Sequence, residues 1–219
     1  MPTITSHTDD GYIYKTNSSW STVRDATSGT YTGGIAGSSL SIQASVATTR
    51  GGGTSYKLYR SFFKFDTSGI TSTVGSATLK IKGNSLTTAD VIALKCPHDF
   101  GFANADFDNI TGWTTGSSNG SGGGDNESNV TKYSDEITTW STSTNNITLI
   151  SAALADMVSQ DTFVVAVIEF DHDLKDITPT GSNVAGVMFA DSSTASDRPV
   201  LDYTLAPPAD NSIFFGTNF

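Results

Sequence analysis

The residues able to do acid–base or nucleophilic chemistry are few and scattered. His7, His98 and His172 are the only histidines and Cys96 the only cysteine. None sits in a Gly-x-Ser-x-Gly elbow, a His-Glu-x-x-His helix or a phosphate-binding glycine loop. Aspartates come in close pairs, Asp106 with Asp108 and Asp171 with Asp173. Such pairs could act as acid and base in glycoside cleavage, yet residues two apart on a strand share a face and ordinarily just meet solvent. No catalytic residue is assigned, and the chain is expected not to be an enzyme.

Oxygen ligands gather most densely in "DFGFANADFDN", residues 99–109, where Asp99, Asp106 and Asp108 are candidate ligands for calcium, a hard cation that wants several oxygens. The stretch lacks EF-hand spacing, and plain turn formation competes with that reading. No other cofactor is expected. "DHD" at 171–173 offers transition-metal ligand types but reads as a solvated loop. For sugars, the stacking candidates are Trp20, Trp113 and Trp140. Trp113, in "ITGWTTGSS", lies beside polar loop residues and is the candidate glycan-binding residue. Its alternative is core packing, which is the expectation for Trp20 and Trp140.

Charge restricts the partners. Twelve Lys+Arg against 22 Asp+Glu give a net charge of -10, so no basic face is available to neutralise phosphates, and neither nucleic acid nor an anionic membrane is an expected partner. No apolar run approaches the ~20 residues of a spanning helix. The first residues, "MPTITSHTDDGYIYK", do not read as a secretory signal, and one cysteine excludes an internal disulfide framework. Synthesis in a reducing cytoplasm is expected. The composition, with 29 Ser, 32 Thr and 21 Gly, is that of proteins working outside cells. A virus-particle component satisfies both observations.

The elements that must position these residues are strands. Period-2 alternation appears in "SLSIQASV" (39–46), with Leu40 and Ile42 on one face, and in "SATLKIK" (76–82), with Ala77, Leu79 and Ile81 opposed to Thr78, Lys80 and Lys82. "YKLYRSFFKFD" (56–66) and "TFVVAVIEF" (162–170) are apolar on both faces, as strands covered on both sides are. "NVAGVMFAD" (183–191) and "RPVLDYTL" (198–205) are further strands. One segment reads as a helix, "SAALADMVSQ" (151–160), with Ser151 as its N-cap and Leu154, Met157 and Val158 as its apolar stripe. Glycine-rich stretches at 50–55 and 114–129 read as surface loops. Arg60 and Asp66 share a face of one strand but lie about 20 Å apart, so each must serve a different neighbour, and both are expected to be structural.

Taken in order, "YRSFFKFD" with Arg60, Ser61, Phe62, Phe63, Lys64, Phe65 and Asp66, the turn before "SATL", the strand and helix of "NITLISAALADMVSQ", and the closing "DRPVLDYTL" resemble a DNRLRE domain. This is a jelly-roll module related to polysaccharide-binding modules and found in secreted proteins and in phage virion proteins. The resemblance covers residues 10–205. It implies an all-β fold: a single jelly-roll-like β-sandwich over residues 1–206 with one short helix; the extended C-terminal tail, 207–219, departs from the family's pattern.

That tail, "PPADNSIFFGTNF", carries Ile213, Phe214, Phe215 and Phe219 after two prolines that end the last strand. Unpaired aromatics on a free end invite aggregation, so these residues are expected to dock on a partner, with folding back over their own sandwich as the alternative. The functional expectation is a non-enzymatic accessory structural protein of a virion, such as a capsid decoration, neck or fibre component of a bacteriophage. Its tail would bind other virion proteins, and a glycan-adhesion role and homo-oligomerisation are left open. A free-standing carbohydrate-binding module of a secreted or surface protein is the alternative.

Overall fold

The computed structural model describes residues 1–97, 101–115 and 125–208. Among the described residues eleven strands, all paired antiparallel, form an all-β sandwich. The smaller layer consists of β1 (Thr3–Thr5), β11 (Val200–Leu205), β6 (Val74–Thr87) and β8 (Thr144–Thr148). The larger contains β10 (Ser182–Met188), β4 (Gly37–Thr48), β5 (Thr54–Asp66), β2 (Gly11–Asn17) and β3 (Thr30–Gly33), with β9 (Thr162–Glu169) and β7 (Val91–Lys95) continuing from β5. Beyond Gly83 the long strand β6 leaves the first layer and pairs with β10 of the second, which joins the layers at one corner.

Alternation builds two cores from one central strand. Phe63 and Phe65 of β5 face the inter-layer core with Leu79, Ile81, Ile147 and Leu201, while Leu58 and Phe62 face a second core on the far side of the larger layer. Burial of each such side chain contributes roughly 1.5–3 kcal/mol, so a strand apolar on both faces is stable only where both are covered. Here the second cover is α1 (Trp20–Arg24), the segment around Phe107 and Ile110, and a π-turn at Phe170–Leu174.

The short helix expected near residue 151 is α2 (Ser151–Ser159); its N-cap is Ile150, with Ser151 the first helical residue and no side-chain cap bond. Ala153 and Met157 are buried, whereas Val158 is 36% exposed. In β4, Ile42 is buried and Leu40 is exposed, against the expectation that they share a face. The cause is an irregularity: Ala185 pairs with Ile42 but Val187 with Ser38, so extra residues of β4 are accommodated between them and rotate Leu40 outward. Directly across, Gly186 lies so close to Asn84 that a Cβ would collide with its carbonyl oxygen. The expected loop near 50–55 is a tight hairpin, closed by the Thr49 N–H donating to the Gly53 carbonyl at 2.7 Å, with Gly52 at φ +81°.

Candidate functional site

Arg60, on the second-core face of β5, brings the most chemistry together. A guanidinium with no solvent exposure demands fixed partners, and the register Ser61 to Val167 carries the end of β9 alongside it. Glu169 closes β9 and caps the π-turn: its Oε2 accepts from the N–H groups of His172 at 2.6 Å and Asp173 at 3.0 Å. The turn so fixed aims Asp173 at Arg60, which donates from Nε at 2.8 Å and from Nη2 at 2.7 Å, a two-point fork. Arg60 Nη1 also donates to the Phe107 carbonyl at 2.6 Å. Neither Arg60 nor Asp173 has any exposure. Asp173 is thus a buried ion-pair partner rather than the solvent-facing member of a "DHD" loop, because the chain folds there as a turn and not as a strand.

A second arginine joins the group. Arg24, buried at the end of α1, donates from Nε to the Asp173 carbonyl at 3.1 Å and from Nη1 to Asp25 at 3.3 Å. Burial pulls its pKa below the ordinary value, with Asp173 opposing that shift. Trp113, the candidate sugar-stacking residue, sits beside both cations: the guanidinium carbons of Arg24 and Arg60 lie 4.3 Å and 4.2 Å from its ring. It is half-buried against the second core, and its Nε1 is buried without a hydrogen-bond partner among the described residues. Trp20 and Trp140 are 4% and 6% exposed and belong to the two cores.

The carboxyl groups fall into distinct environments. Asp10 is buried and receives the Ala190 N–H at 3.0 Å and the Ser6 hydroxyl at 2.9 Å; desolvation outweighs these bonds and pushes its pKa up to about 7. Burial likewise raises Glu169 to about 8 against the two N–H groups it receives. In the loop proposed for calcium, Asp106 accepts from the Ala103 N–H at 2.7 Å and the Asn109 amide at 3.2 Å, while Asn104 accepts from the Tyr31 N–H at 2.8 Å. Those oxygens hold the loop itself. Asp108 is half-buried and joins no convergent acid group among the described residues, outside which Asp99 lies.

Three acids that the sequence did not connect do converge: Asp90, Glu136 and Asp171 place carboxylate oxygens within 4.8 Å of one another. Desolvation, then Asp171, raises the pKa of both Asp90 and Glu136. This offers a hard cation three of the roughly six to eight oxygens that calcium takes. Contributions from β7, β9 and the segment between them could not be foreseen without the pairing of Val91 with Glu169 and Ile137.

Nucleophile–base geometry does not appear among the described residues. His7 is exposed and contacts Asp9, and His172 Nδ1 faces the Ile177 carbonyl at 2.7 Å; neither touches a hydroxyl or thiol. Cys96 is fully buried, and desolvation drives its thiol pKa upward. His98 and the tail residues Ile213, Phe214, Phe215 and Phe219 lie outside the described residues. No helix among the described residues is long and apolar enough to cross a membrane. No protein-family model and no curated protein matches the chain.

Proposed function

We propose that the chain is a non-enzymatic accessory structural protein of a virus particle, a decoration, neck or fibre component of a bacteriophage. In this reading the sandwich is the displayed body and Ile213, Phe214, Phe215 and Phe219 are the anchor. The observation that carries it is the way the body releases its last strand. β11 is held between β1 and β6, Leu205 is 49% exposed, and Pro207 and Pro208 line an open cleft with Thr71, Ser72 and Thr73. The described residues therefore end at the surface of the sandwich, and in this reading the aromatic residues that follow in the sequence bind another protein. Three or four apolar anchors, each worth roughly 1.5–3 kcal/mol when fully buried, exceed the ordering cost of a short segment.

Two further features support a structural role. Asp10, Glu169 and Asp173, all buried, are engaged by backbone N–H groups or by Arg60 and serve the fold. The likeness to DNRLRE-type modules, carried by Arg60–Asp66 and the closing strand, belongs to the same proposal, as does an adhesive role toward glycans. The test is photo-crosslinking from position 214 in native source material, with mass spectrometry of the captured protein. Capture of a capsid, neck or tail protein is expected. Capture of only the chain itself would instead favour a free-standing carbohydrate-binding module.

A further inference from the structure

Helix α2 carries two apolar faces, and the core takes up one of them. Ala153 and Met157 are buried between the layers, while Ser151, Leu154, Ala155 and Val158 follow the i, i+3, i+4, i+7 spacing of a second stripe. That stripe lines a groove whose other wall is Thr73 and Val74, where β6 begins. Ala155 and Val158 are exposed there, and none of the described lining residues is ionisable, although the chain carries a net charge of -10. A groove of this kind receives an apolar segment.

The chain itself leads one to it. Thr73 borders both this groove and the cleft that Pro207 and Pro208 line. The Ala206 N–H donates to the Thr73 carbonyl at 2.8 Å, and the exposed Leu205 is the cross-strand partner of Val74. The last described residues therefore lie beside the groove. Five residues separate Pro208 from Ile213, at most ~17 Å of extended chain, whereas the stripe from Ser151 to Val158 is only ~10 Å long. Residues 211–219, "NSIFFGTNF", contain no ionisable side chain and supply Ile213, Phe214 and Phe215, so an uncharged apolar segment fits an uncharged apolar groove. A tether this short gives an effective concentration in the millimolar range, which favours the chain's own segment over that of a second copy in dilute solution.

We propose that in the free chain Ile213, Phe214 and Phe215 lie in the groove between α2 and the start of β6, and that a particle partner takes them over on assembly. The proposal rests on the reading of the tail as an anchor and adds what shields it beforehand. Shielding answers the aggregation that unpaired aromatics invite. It also regulates the anchor, because a segment docked ten times as often as it is free binds its partner about tenfold more weakly.

The test is photo-crosslinking from position 214 in the dilute, purified full chain, with the product sized and its joined peptide identified by mass spectrometry. The expected product has the mass of one chain and joins position 214 to Thr73, to Val74 or to residues 151–158. Ala155→Asp with Val158→Asp, both at exposed positions, should abolish it. A tenfold excess of the docked state, ~1.4 kcal/mol, should also hold the full chain about 3–6 °C above a chain ending at Pro208 in melting temperature. The two aspartates should erase that difference and leave the shortened chain's melting temperature unchanged. A groove-linked product with the mass of two chains overturns docking within one chain in favour of a second copy. Crosslinks elsewhere, or none, together with equal melting temperatures overturn the groove itself. Capture in particles is read separately: a virion protein joined to position 214 there keeps the anchor even where the groove fails, and the groove alone joined there removes the anchor while the docking stands.

Discussion

Replacing Arg60 by Met removes a cation from a pair with no exposure on either side. Asp173 then loses a two-point fork of 2.7 Å and 2.8 Å, and the Phe107 carbonyl loses a donor at 2.6 Å. Arg24, which donates to the Asp173 carbonyl and is attracted to its carboxyl, compensates in part. Breaking a buried pair from one side costs about 3–5 kcal/mol. At roughly 2–4 °C per kcal/mol for a chain of this size, the melting temperature should fall by about 6–20 °C. Replacing both members, Arg60→Met with Asp173→Leu, removes the pair as a unit, leaves Arg24 to Asp25 and Asp176, and should recover at least half of the loss. Urea unfolding of the wild type, both single variants and the double variant gives the coupling energy directly. A single-variant cost below about 1 kcal/mol, or strictly additive losses, would refute the argument that this pair organises the second core.

Asp10 and Glu169, raised to about 7 and about 8, are neutral in the fold at pH values where the unfolded chain ionises them. Their contribution is therefore fully present below about pH 4 and is lost as pH rises toward 7–8. Asp10→Asn with Glu169→Gln should flatten the fall in urea midpoint between pH 5 and 9, and an unchanged slope would contradict the assignment. Asp106→Ala removes both bonds that hold its loop and should cost about 1–3 kcal/mol. Equal costs in calcium and in chelator are expected, and a cost seen only with calcium would assign an ion there. Cys96, buried with its thiol pKa driven upward, should resist an aromatic disulfide reagent in the native protein and react on unfolding; rapid native labelling would mean that the second core opens.

The strands with one solvent face were legible because period-2 alternation is local: Ala77, Leu79 and Ile81 are buried as their spacing requires. β5 and β9 were legible as doubly covered strands for the same reason. Leu40 misled because a bulge resets the alternation, and nothing in "SLSIQ" announces one. α1 has five residues, too few to display a helical period. Asp173 and Arg60 are separated by 113 residues, and only the antiparallel register of β5 with β9 joins them.

The most direct test of the proposed role compares incorporation of two chains, the full sequence and one ending at Pro208, into particles purified from the native source. Both should melt cooperatively, since the last strand among the described residues ends at Leu205. The proposal predicts that quantitative mass spectrometry finds the full chain in particles at a fixed ratio to the major structural protein and the shortened chain absent. Equal incorporation of both chains, or absence of both, would contradict anchoring through Ile213, Phe214, Phe215 and Phe219.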